Sequence, residues 1–145
     1  PVSTLELMVA TYARQESAQA GEIVALLDAR MSEFNLGRYR LEDSHQILAL
    51  EADRLVSSEQ AIELIAANQR VSVIGDAGGL FESAPELKSQ FTPIYPNAID
   101  ILPLAQTEYS AQRAVAIETV DLVYLRGTEA WQKRKRLRTT AEEVN

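Results

Sequence analysis

Ile23, Val24, Ala25, Leu26 and Leu27 form an unbroken apolar run of strand length. A strand that is apolar on both sides belongs in the middle of a sheet covered on both faces, so this run predicts the central strand. Asp28 to Ser32 interrupt it with turn-compatible residues, and from Glu33 the pattern alternates, Phe34 and Leu36 on one face and Asn35 on the other. That alternation is the signature of the second strand of a hairpin. Beyond Gly37 the apolar positions move to Tyr39 and Leu41. A phase shift of one residue predicts a β-bulge near Gly37, which would keep a single apolar face inward.

The same patterning predicts elements on either side. Ser3 and Glu6 fit a capping box, and Leu5, Met8, Val9 and Tyr12 follow at helical spacing, so a helix should run to near Glu16. A polar linker, Gln15 to Gly21, leads into the central strand. After a turn at Glu42 to Ser44, a third strand is expected over Ile47 to Glu51. Ser57 with Gln60 opens a second helix, which carries Ala61, Ile62, Leu64 and Ile65 and ends near Asn68. Val71 to Ile74 read as a buried strand, closed by Gly75-Asp76-Ala77-Gly78-Gly79. Ser83 and Glu86 bracket Pro85 at the start of a short helix to Gln90. Phe91 to Tyr95 follow as a strand that Pro93 and Pro96 confine to a sheet edge. Asn97 should cap a last helix reaching Ala114, kinked at Pro103.

Short connections make the first three strands antiparallel neighbours, whereas the later helix–strand alternation implies parallel pairing. The order is that of an α/β fold whose mixed five-stranded sheet, three antiparallel strands and then parallel ones, is flanked by helices. This arrangement resembles one ribonuclease-H-like lobe of the actin-like ATPases.

Charge divides the chain. Residues 1–125 hold 8 basic and 18 acidic side chains, a balance of −10, against 6 and 3, a balance of +3, in residues 126–145. An acidic body does not wrap nucleic acid, but Lys133, Arg134, Lys135, Arg136 and Arg138 concentrate enough charge to meet RNA phosphates or else to stay solvated. Val120 to Arg126 are apolar enough to pack as an extended segment, and Trp131 is placed to fasten the terminus to the body.

Several chemistries fail on composition. The 145 residues contain no cysteine and one histidine, His45, in a turn where it reads as a surface residue, so zinc or iron hydrolysis lacks ligands. No Gly-x-Ser-x-Gly elbow is present. Gly75 to Gly79 stand between a strand and a helix and are either a structural turn or a phosphate cradle, though they match neither the Walker sequence nor the dinucleotide fingerprint. Asp28, Arg30 and Glu33 are either an acid/base cluster or a solvated hairpin tip with local ion pairs.

Three blocks carry a resemblance: Val2-Ser3-Thr4-Leu5, Leu27-Asp28-Ala29-Arg30-Met31-Ser32-Glu33, and Val123-Tyr124-Leu125-Arg126 with Ala130-Trp131-Gln132-Lys133. In this order and spacing they resemble the TsaB (YeaZ) family, a non-catalytic partner in bacterial tRNA threonylcarbamoyladenosine synthesis. The resemblance implies a cytoplasmic subunit that takes no cofactor and works with a TsaD-type catalytic subunit and a TsaE-type ATPase. It reaches tRNA indirectly, binds no membrane, and leaves a homodimer open for the intact protein. It further implies that residues 1–20 are a helix and linker from a preceding lobe, 21–126 the C-terminal lobe and 127–145 a basic tail, the whole being a piece of a longer protein. Asp28, Arg30, Tyr124, Leu125, Arg126 and Trp131 become candidate partner or structural contacts, with no catalytic residue among them. A peptidase (glycoprotease) activity, the other label attached to such proteins, finds no metal-binding residues here. The alternative is an actin-like nucleotide-binding lobe that uses Gly75 to Gly79.

Overall fold

The computed structural model describes residues 1–15 and 18–127. Helix α1 (Thr4–Ala13) is followed by strands β1 (Gly21–Asp28), β2 (Glu33–Leu41), β3 (Ile47–Ala49) and β4 (Arg54–Ser57), helix α2 (Ser58–Ala67) and strand β5 (Ser72–Asp76). A short α3 (Leu80–Ser83), a 3-10 helix at Pro85–Gln90, strand β6 (Phe91–Pro93), a 3-10 turn at Ala98–Asp100, α4 (Ile101–Ser110) and a 3-10 turn at Ile117–Thr119 complete the order. The sheet runs β3-β2-β1-β5-β6, with β4 beside β2, so β1 is central, as its apolar run predicts. Strands β2, β3 and β4 pair antiparallel, and β5 and β6 pair parallel. This is the mixed α/β fold with flanking helices that the sequence predicts, with six strands in place of five.

Two separate apolar layers hold it. Ile23, Ala25, Tyr39, Leu41, Ile74 and Ile94 face α1 and bury Leu5, Met8, Val9 and Tyr12. Val24, Leu26, Phe34, Leu36, Val56 and Val73 face the other way, onto Ala61 and Ile65 of α2 and onto Leu80 and Phe81. Full burial of such side chains stabilises by about 1.5–3 kcal/mol each, so the two layers are the main source of stability.

The phase shift in β2 has a different origin from the expected bulge. The β1–β2 register is continuous through Ala25 and Gly37. Phe34 and Leu36 point to the α2 layer while Tyr39 and Leu41 point to the α1 layer, because each helix covers one end of the strand. The irregularity lies in the neighbouring strand. Leu36 pairs with Arg54 and Tyr39 with Ala49, so two residues of β2 stand opposite four, Leu50 to Asp53. The expected third strand, Ile47 to Glu51, is therefore shortened to β3, and β4 is an additional strand that the pattern did not mark.

Other boundaries also move. Ser3 caps α1 through the Leu5 N–H, but the helix stops at Ala13, short of Glu16, which lies outside the described residues. Ser57 and Gln60 close the capping box of α2 as expected. Ser83 caps nothing; its hydroxyl donates to Leu80 O, and Ala84 precedes the 3-10 turn that Pro85 opens. Asn97 Oδ1 accepts from the Ile99 N–H, and a 3-10 turn precedes α4. Pro103 thus falls in the first turn of α4, where its missing N–H has no intrahelical partner to lose, and the expected kink is replaced by this 3-10 to α junction. The helix ends at Ser110, before Ala114. Val120 to Tyr124 do not pack as an extended segment: Leu122, Val123 and Tyr124 are exposed.

Candidate functional site

Strands β1 and β2 are joined by Ala29 to Ser32, and three consecutive residues of that turn are left-handed: Arg30 (φ 69°), Met31 (φ 57°) and Ser32 (φ 58°). None is glycine, so each costs roughly 1–2 kcal/mol relative to ordinary backbone. Such a conformation persists only where its surroundings over-determine it.

The turn is held from several directions. Asp28 Oδ1 accepts from the Arg30 N–H at 2.7 Å. The Ala29 N–H donates to Glu33 O (2.9 Å) and the Glu33 N–H to Arg30 O (3.1 Å). At the start of α2, the Ser58 N–H and hydroxyl both donate to Ser32 O, each at 3.0 Å. The last support comes from far along the chain. Arg126 Nη2 donates to Ala29 O (2.9 Å) and Arg30 O (3.1 Å), pairs with the Glu33 carboxylate, and Nη1 lies 3.2 Å from Met31 Sδ. A planar guanidinium presents its donors in a fixed fork, which suits it to two adjacent carbonyls and a carboxylate.

Asp28, Arg30 and Arg126, nominated from separate blocks of sequence, therefore meet at one end of the sheet. Leu125 is half-buried beside Arg126, and Tyr124 is exposed. Trp131, Lys133, Arg134, Lys135, Arg136 and Arg138 lie outside the described residues. Met31 and Ser58 are contributors that the sequence did not nominate. Ser58 carries no linear signal, since its partner is a carbonyl 26 residues away. Asp28, Arg30 and Glu33 form a hairpin tip with local ion pairs, not a concave acid/base site. The Arg30–Asp28 pair is 3.3 Å long, with the Arg30 side chain 86% exposed.

Two other places have polar character. Between α1, α4 and the β2–β3 turn lies a cleft of about 520 Å³, lined in part by Glu6, Arg14, His45, Glu108 and Arg113. Its arginines are already engaged: Arg14 with Asp100 at 2.7 Å and Arg113 with Glu108 at 2.5 Å. The Arg14 guanidinium holds the Asp100 carboxyl below the usual aspartate range, helped by the Thr11 hydroxyl at 2.9 Å. Burial, and then the charges of Glu108 and Asp53, push the Glu6 carboxyl up. Among the described residues no group of three or more His, Cys, Asp or Glu side chains is arranged to hold a metal ion.

The Gly75 to Gly79 segment is built for packing at its first position. Gly75 lies within β5 at φ +125°, and a Cβ there would stand 2.0 Å from Leu26 O and 2.6 Å from Met8 Cε. The segment leads into a four-residue helix without a side-chain cap, too short to offer a phosphate an aligned dipole.

A tRNA threonylcarbamoyladenosine biosynthesis protein TsaB from Haemophilus influenzae is 28% identical over an alignment of 141 residues that covers 92% of this chain and 58% of that protein. The chain is therefore similar in sequence to a TsaB protein over most of its length. It spans less than two thirds of the length of this curated relative. Two solved structures from Pseudomonas aeruginosa share the fold. One, described as an uncharacterized protein with similarity to peptidase YeaZ, has a TM-score of 0.66 at 24% identity, over 86% of this chain and 57% of that one. The other, YeaZ, has a TM-score of 0.64 at 23% identity, over 85% and 58%. No family profile matches. Two of the blocks that carried the resemblance thus converge on the hairpin tip, which makes the tip the candidate site.

Proposed function

We propose that this chain takes part in tRNA threonylcarbamoyladenosine biosynthesis as a non-catalytic subunit, acting in the cytoplasm beside a TsaD-type catalytic subunit and a TsaE-type ATPase. The observation that carries this reading is the similarity to TsaB over 92% of the chain. The geometry agrees with a role by association: Asp28, Arg30 and Arg126 gather at the β1–β2 turn, and both arginines of the cleft are paired with carboxylates. Among the described residues no helix is long and apolar enough to cross a membrane.

The alternative of a nucleotide-binding lobe loses support from Gly75, whose lack of a side chain is consumed by the approach of Leu26 O and Met8. Peptidase chemistry finds neither a cysteine nor a second histidine in the whole chain. The reading has a direct thermodynamic test. Calorimetric titration of the purified chain should show saturable binding to a TsaD-type subunit from the same organism and no heat with ATP or ADP. Nucleotide binding without any response to the subunit would overturn it.

A further inference from the structure

We infer that residues 98–124 form a strap that lifts from the body as one unit, with the Asp100–Arg14 pair as its clasp, and that this motion opens and closes the cleft beside α1.

Burial leads there first. Among the described residues, Ile94 is the last side chain in either apolar layer, and its N–H donates to Gly75 O at 3.2 Å. Tyr95 to Ile99 are exposed, and between Ile101 and Tyr124 only Leu104 is buried. Leu102 and Tyr109 of α4 are 71% and 75% exposed, so the burial that fixes the sheet barely holds this helix. Few buried apolar contacts mark the segments that open at low free energy.

What holds the strap is polar and concentrated at one point. Arg14 Nε and Nη2 donate to the two Asp100 carboxylate oxygens at 2.7 and 3.0 Å, and the Thr11 hydroxyl lies 2.9 Å from Oδ2 and accepts from the Asn97 N–H at 3.1 Å. Both side-chain partners of Asp100 belong to α1, and Asp100 itself is buried. A buried carboxylate stripped of its guanidinium is costly, so the pair does not loosen while the strap stays down; clasp and strap part together. On parting, Asp100 gains water and Arg14, whose side chain is already 55% exposed, loses little. Beyond α4 the chain is tied back to the body at Arg126. Helix α4 lines the cleft with Pro103, Leu104 and Thr107, and α1 lines it with Glu6, Ala10 and Ala13. Lifting the strap therefore removes a wall of the cleft and leaves both apolar layers packed.

Amide hydrogen exchange of the full chain, followed by NMR at neutral pH over a series of sub-denaturing urea concentrations, is the test. The hydrogen-bonded amides of α4 should be protected, yet exchange on the order of a hundredfold faster than those of β1 and β5, at a rate nearly independent of urea because lifting the strap exposes little surface. Val56→Ala, a truncation in the α2 layer, should speed exchange in β1 and β5 by about tenfold and leave α4 unchanged; the urea series on the unmodified chain decides the same question without a variant. Asp100→Asn should speed exchange in α4 by about tenfold. The chain has no cysteine, so Ala13→Cys places a single thiol in the cleft wall, and its labelling rate should rise with α4 exchange when Asp100→Asn is added. Exchange of α4 at the rate and urea dependence of the sheet would overturn the strap, as would an α4 that follows Val56→Ala. An α4 without protection, or one that Asp100→Asn leaves unchanged, would overturn the clasp. Thiol labelling that tracks β1 in place of α4 would overturn the opening of the cleft.

Discussion

Gly37 shows how one position without a side chain organises its surroundings. A Cβ there would lie 2.6 Å from both Asp53 Oδ1 and the Tyr39 ring. Its absence lets the Tyr39 hydroxyl donate to Asp53 at 2.7 Å while the Ser3 hydroxyl reaches the same carboxylate. The head of α1 is thereby tied to the β3–β4 break, and burial pushes the Tyr39 hydroxyl above its ordinary range. Gly37→Ala should destabilise by about 1–3 kcal/mol, the cost of overpacking a filled site. Gly78→Ala, which meets nothing within 4 Å, should stay within about 0.5 kcal/mol. Urea denaturation of the two variants checks the contrast. The sequence marked Gly37 as special for the wrong reason. A two-residue period cannot tell a bulge from a strand whose ends are covered by helices on opposite faces, and only the placement of α1 and α2 separates the two.

Elements with strong local signals were legible. The apolar run of β1, the Ser57 capping box of α2 and the proline-limited edge strand β6 are all where the pattern puts them. The additional strand β4 and the short α3 were not, because each answers to a tertiary partner and not to a local propensity. Likewise Asp28, Arg30 and Arg126 were nominated by resemblance, but the contact between residues 29 and 126 has no linear trace. The tie between α1 and α4 gives a pH signature. Asp100 is buried and titrates below its ordinary value of 3.8 because Arg14 and Thr11 bind its ionised form. The stabilisation is therefore present above that ordinary value and is lost as pH falls through the lowered one. Asp100→Asn should cost about 1–2 kcal/mol at neutral pH, the exposure of Arg14 limiting the amount. The gap from the unmodified chain should close on acidification, which thermal melts at pH 7 and pH 3 would show.

At the scale of the molecule, the sheet with α1 on one face and α2 on the other is a rigid support that presents one strained turn at the end of its central hairpin. Fold alone would not assign such a support a role; the role proposed above rests on the similarity to TsaB over 92% of the chain. The claim at the centre of this account is that the chain enables tRNA modification by association, with the chemistry done elsewhere. Nucleoside mass spectrometry of tRNA from a reconstituted reaction containing a TsaD-type subunit, a TsaE-type ATPase, ATP and the threonylcarbamoyl donor tests it most directly. Threonylcarbamoyladenosine should form when this chain is added, be lost when it is left out, and never form from the chain with donor and tRNA alone. Equal yields with and without the chain, or product from the chain unaided, would contradict the account.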